Sequence, residues 1–239
     1  MPPRSSRQRK RSVIVEPTLG ADRTLALSYI PARNRAALAA LFAIDAAMGD
    51  VVRTSSDPML GQIRLAWWRE RLEELDQGVV PAEPRLQAVA EALIPKGISG
   101  RDAAALEGGW LKLFTPFPWD VSVVEILWFR GRLLFGLGAK LLSRTDDRIE
   151  AAGGLWAIMD AARHCSDPPS RKILMTEGRT LARGLGGTKV EPALRPLSIL
   201  AALAIRDLAK GEPFEPEGSP GRIATMLGHR LSGKLPKLG

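Results

Sequence analysis

Apolar residues recur along most of the chain at the three- and four-residue spacing of a helix, and the two-residue alternation of a half-buried strand is rare. Residues 33–54 carry Leu38, Leu41, Phe42, Met48 and Val52 at that spacing, and Pro31 suits the start of this helix. Residues 58–77 form the next one. Asp57 is a good N-cap, Pro58 fits the first turn, Gly78 ends the helix, and Leu65, Trp68, Leu72 and Leu75 give it one apolar face. Shorter helices are predicted at 85–94 and 101–114, ahead of a proline-rich turn, TPFPWD, at 115–120. Residues 121–142 read as a long apolar helix interrupted by Glu125, Arg130, Arg132 and Lys140. A helix over 146–165 follows with Thr145 as its N-cap, and DPPS at 167–170 breaks the chain. Helices at 170–183, 193–210 and 222–231 complete the series. The expected class is all-α, without internal repeats. The glycine-rich GLGGTK at 184–189 has no strand before it and reads as a loop rather than a phosphate cradle.

Composition sharpens this picture at three points. With 239 residues, 45% hydrophobic and 25% charged, the chain can build one globular core. The expected organisation is a basic, disordered tail at 1–19, a helical domain at 20–233 and a short C-terminal tail at 234–239. Of the formal charge of +8, Arg4, Arg7, Arg9, Lys10 and Arg11 supply five, with no acid among the first eleven residues. Such a tail is either simply solvated or drawn to anionic headgroups or phosphate. Nucleic acid is not an expected partner, because no basic stripe with interleaved aromatics runs through the rest of the chain. The single cysteine, Cys165, allows no internal disulfide, which fits a reducing compartment. Neither a secretory h-region nor an uncharged run of transmembrane length is read, so the expectation is a cytoplasmic chain, peripheral to the inner membrane surface at most. The Arg-rich, acid-poor tail has some features of a mitochondrial transit signal, but its prolines and its lack of an apolar face count against that reading.

Four segments carry a family resemblance. DPMLGQIRLAWWRERLEELDQG (57–78), SYIPARNRAALAALFAI (28–44), GLWAIMDAARHCSDP (154–168) and RPLSILAALAIRDL (195–208) resemble, in this order, segments of squalene and phytoene synthases, so that the likeness spans 22–233. The Trp-Trp helix is most similar to one bacterial and mitochondrial branch, which includes an assembly factor for respiratory complex I. The resemblance implies a single helical bundle of the isoprenoid synthase type around a deep apolar cavity. It also implies, in the family's enzymes, two Asp-rich motifs that hold Mg²⁺ against the diphosphates of two prenyl substrates joined head to head.

The chain departs from that pattern. In 42–54 it keeps Asp50, but Gly49 and Arg53 stand where further acids are expected. Asp45 and Asp50 are five residues apart, about 140° around a helix, so they do not share one face. In 159–168 it keeps Arg163, while His164 and Pro168 occupy acid positions and Asp167 replaces a Glu. The catalytic candidates are therefore Asp45, Asp50, Asp160 and Asp167, with Asp50 and Asp167 the metal candidates if any. Arg64, Arg69 and Arg163 are the candidates for holding a diphosphate.

Each candidate has two readings. Asp160, Arg163, His164 and Asp167 share a face at i, i+3, i+4 and i+7, as a remnant polar site or as a solvated face with Asp160 paired to Arg163 and His164. Asp45 falls on the apolar stripe of its helix, where a carboxylate must pair with an Arg or line a cavity. Arg64, Trp68 and Arg71 fall on one face, as Arg–Trp packing; alternatively Arg64 or Arg69 clamps a diphosphate or a headgroup. The acids of DDRIE (146–150) suit a first helical turn. Cys165 and His229 are assigned nothing. The expected function is a family protein with degenerate Mg²⁺–diphosphate motifs. It would bind a prenyl diphosphate or other isoprenoid lipid, or act with respiratory-complex subunits, near an anionic membrane surface. The alternative is an active head-to-head prenyltransferase using rearranged acidic ligands and Mg²⁺.

Overall fold

The computed structural model describes residues 19–238. Helices α1 (Ala21–Ser28), α2 (Ala32–Thr54), α3 (Pro58–Leu75), α4 (Pro84–Ala88), α5 (Gly100–Ala104) and α6 (Glu107–Leu111) make the first half. Helices α7 (Val121–Leu141), α8 (Asp147–His164), α9 (Pro168–Leu185), α10 (Arg195–Lys210) and α11 (Pro220–Ser232) make the second. Among the described residues the fold is all-α, and the one β-bridge joins Lys189 and Lys234.

Most predicted helices are present, with informative shifts. α1 has no counterpart among the predicted helices: eight residues are too few for a periodic signal, and its N-cap Gly20 makes no side-chain bond. The helix predicted at 101–114 is broken into α5, α6 and a 3₁₀ turn at Lys112–Phe114, with the poor helix formers Gly108 and Gly109 inside it. The N-cap of α8 is Asp146, not Thr145. Its carboxylate accepts the Arg148 N–H at 2.9 Å, a stronger acceptor for the positive end of a helix than a hydroxyl. DPPS does not delay the next helix to Ser170. Asp167 caps α9, and Pro168 occupies its first turn, where a missing N–H is harmless.

α2 is buried on nearly all sides, 14 of its 23 residues being inaccessible, so it runs through the bundle instead of resting on it. α8 is sandwiched by α7, α9 and α10. α7 and α8 approach closest at Gly131 and Gly153: a Cβ on either would lie about 2 Å from the other's carbonyl oxygen (2.1 and 2.2 Å). Three aromatic rings pack together in the core between α2, α7 and α8. Phe135 stacks on Trp156 with centroids 5.6 Å apart, and Phe42 packs edge-on against both at 6.5 and 6.2 Å.

The C-terminal end is pinned by His229. A carbonyl can only accept, so Nδ1 donates to the Lys234 oxygen (3.1 Å), and the Ser198 hydroxyl on α10 then donates to Nε2 (2.7 Å). Burial pushes the pKa of His229 down and keeps it neutral. Among the described residues, no helix is long and apolar enough to cross a membrane.

Candidate functional site: a buried arginine–aspartate network

Asp45 sits midway along α2 and is fully buried. One of its oxygens, Oδ1, accepts from Arg130 Nη1 on α7 at 2.6 Å and from Trp110 Nε1 on α6 at 2.9 Å. Arg130 is also fully buried, its guanidinium 3.9 Å from the ring centre of Trp110 and 5.6 Å from that of Trp156. Gly109 makes room for it: a Cβ there would collide with the Arg130 stem at 2.5 Å. Arg130 Nη2 then faces Asp160 Oδ2 on α8 at 3.7 Å, and Asp160 Oδ1 accepts from Arg23 Nη2 on α1 at 2.9 Å. Burial alone would raise the pKa of Asp160. Arg23 and Arg130 outweigh it and hold this carboxylate below its ordinary range.

A second chain of pairs runs beside the first. Asp22 accepts from Arg222 at 2.8 Å and from the Gly218 N–H at 3.0 Å. Arg222 also donates to Asp207, which accepts from Arg163 at 3.0 Å. Arg163 reaches on to the Glu215 carbonyl at 2.7 Å. The two chains meet around a cavity of about 20 Å³, the space of roughly one water, lined by Asp22, Arg23, Asp160, Arg163, Asp207 and Arg222 among others. Four aspartates thus face four arginines, and each charge that leaves water is compensated by its neighbours.

These residues do not fit Mg²⁺. Such an ion takes oxygen ligands at about 2.0–2.1 Å in near-octahedral order. Here the Asp45 oxygen that faces Arg130, and both oxygens of Asp160, are met by guanidinium groups, which would repel a cation. Among the described residues, no three His, Cys, Asp or Glu side chains gather as a metal site requires.

The sequence candidates divide accordingly. Asp45, Asp160 and Arg163 are in the network. Asp50 is exposed and pairs with Arg53 one turn on, at 2.5 Å. Asp167 is a helix cap, accepting from Ser170 N at 2.9 Å and Oγ at 2.5 Å. Arg64 reaches only Ser55 Oγ at 3.4 Å, and Arg69 lies 3.7 Å from Glu70. None of these four bonds to the network among the described residues.

Two expected pairings are corrected. The 160–167 set is not one solvated helical face: Asp160 is buried against Arg23, Arg163 turns to Asp207, and α8 ends at His164, before Asp167. His164 donates from Nδ1 to the Asp160 backbone carbonyl at 2.8 Å and stays 3.9 Å from its carboxylate. The Arg64–Trp68–Arg71 stack is also absent. Trp68 faces the core with Arg85 over its ring at 5.9 Å, and Arg71 pairs with Glu74 at 2.6 Å.

Arg23, Arg130, Asp22, Asp207, Arg222 and Trp110 were not among the sequence candidates. One signal was available for Arg130. It shares the stripe of Val123, Leu127 and Leu134 on α7, as Asp45 shares that of Leu38 and Leu41 on α2, so two opposite charges stood on two apolar stripes.

The family model described as Squalene/phytoene synthase matches residues 18–109. That segment holds Arg23, Asp45 and all of α3, while Arg130, Asp160, Arg163, Asp207 and Arg222 lie beyond it. No curated protein and no solved structure matches the chain.

Proposed function

We propose, from the similarity of residues 18–109 to the squalene/phytoene synthase family model, that this chain acts by binding and assembly and does not ionise prenyl diphosphates. The observation that carries this reading is the Asp45–Arg130–Asp160–Arg23 chain. In a metal-dependent diphosphate-ionising enzyme, carboxylates must be free to hold divalent cations that neutralise the departing group. Here guanidinium groups neutralise them instead, and they are fixed by pairs with little exposure to water. The partner would be an isoprenoid lipid or a set of respiratory-complex subunits, in keeping with the likeness of the Trp-Trp helix to the assembly-factor branch.

Turnover tests this directly. The purified chain, incubated with farnesyl or geranylgeranyl diphosphate and Mg²⁺, is expected to release no diphosphate above the protein-free blank. Release that disappears in Asp50→Ala or Asp45→Asn would sink the proposal and establish a prenyltransferase with rearranged ligands.

A further inference from the structure

α3 is apolar on two opposite faces. Gly61, Leu65, Trp68, Leu72 and Leu75 point into the bundle. Met59, Leu60, Ile63 and Trp67 fall within about 100° of arc on the other side. They stand out from the surface with 70%, 58%, 60% and 41% of their area exposed. A helix with apolar residues all round is normally buried, so an outer face of this kind needs an occupant. Beside it runs an open groove of about 380 Å³ with Leu111, Phe114 and Ile126 on its walls and Gln62 and Lys112 at its edge. Phe129, one turn beyond Ile126 on α7, is 57% exposed and extends the apolar band.

The charges around this band are mixed: Glu125 is exposed on α7 one turn before Phe129, and two cations, Arg64 and Lys112, stand beside α3 and the groove. Arg64 on α3 and Lys112 at the groove make no ion pair among the described residues. The carboxylates at the starts of α3 and α7 are engaged as helix caps: Asp57 accepts from Met59 N at 2.8 Å, and Asp120 from Ser122 N at 2.9 Å. Along α3 acids begin only at Glu70, which lies 3.7 Å from Arg69 and 3.9 Å from Arg71. A second copy of the chain would bring the same cations, and a net charge of +8, to the same face.

We propose that the outer face of α3, with the groove beside it, seats the protein on a bilayer that contains anionic lipid. Met59, Leu60 and Ile63 enter the boundary between headgroups and acyl chains, and Trp67 lies at headgroup level. Arg64 and Lys112 meet lipid phosphates and carboxylates. None of these residues belongs to the buried network, so the inference goes beyond the proposed function and stands whether or not the chain turns over substrate.

Co-sedimentation of the full chain with vesicles tests it. The wild type is expected to bind phosphatidylcholine vesicles containing phosphatidylserine, and to bind phosphatidylcholine alone more weakly. Ile63→Ser combined with Trp67→Ser adds no charge and leaves the basic tail intact; it should lower the partition at least about tenfold, with circular dichroism unchanged. Arg64→Ala with Lys112→Ala should remove most of the preference for phosphatidylserine. The proposal is overturned if the wild type does not bind, or if the Ser variant binds as well as the wild type, which would assign binding to the tail. It is equally overturned if light scattering shows a dimer that the Ser substitutions disperse, which would make this face a contact between copies.

Discussion

Arg130→Met is expected to cost about 3–5 kcal/mol of folding stability, much of what a domain of this size has. The Met side chain replaces most of the volume of the stem but none of the charge. Asp45 is left buried with only the Trp110 N–H, and Asp160 keeps Arg23 alone. Urea unfolding with Asp45→Leu, Arg130→Met and the double variant would measure this. The double variant should recover a large part of the loss, because an apolar pair strands no charge. The pH dependence has a defined sign. The pKa of Asp160 is depressed in the folded state, so its pairs contribute fully above the ordinary carboxylate range and are lost as pH falls through the folded value. The stability gap between wild type and Arg130→Met should therefore narrow on acidification. A gap that stays constant from neutral to acid pH would remove the network as its cause.

Gly131→Ala is the second substitution with a large expected effect, although it adds one methyl group. The new Cβ would lie 2.1 Å from the Gly153 carbonyl oxygen, against backbone that no rotamer change can move aside. α7 and α8 must separate, at a cost of about 1–3 kcal/mol. Arg130 is the neighbouring residue and Trp156 the ring opposite, so the separation should also alter the tryptophan environment of the site. Thermal unfolding and near-ultraviolet circular dichroism would report both changes. Gly153→Ala should behave alike, and the pair should cost less than the sum, since one displacement relieves both clashes. An unchanged melting temperature in Gly131→Ala would mean that the helices are not in backbone contact there.

The fold was legible because it is written locally. Leu65, Trp68, Leu72 and Leu75 mark the buried face of α3, and Asp57 and Pro58 mark its start, without reference to the rest of the chain. α1 was not legible, since two turns cannot set a period, and it is held by packing against α10, α2 and α11 and by the Arg23–Asp160 and Asp22–Arg222 pairs. The site was half legible for the same reason. Asp45 stood out as a charge on an apolar stripe, but its partner lies 85 residues away on α7, and nothing in spacing along one helix identifies a residue on another. The face assigned to 160–167 went astray at a single point: the helix ends at His164, and Arg163 is drawn to Asp207, 44 residues on.

At the centre of this account, guanidinium groups, and not divalent cations, neutralise Asp45 and Asp160. Electron paramagnetic resonance of Mn²⁺ added to the wild-type chain with inorganic diphosphate tests it most directly. The expected spectrum is that of Mn²⁺ and diphosphate without protein. A protein-bound Mn²⁺ signal that is lost in Asp45→Asn or Asp160→Asn would contradict the account and restore these carboxylates as metal ligands.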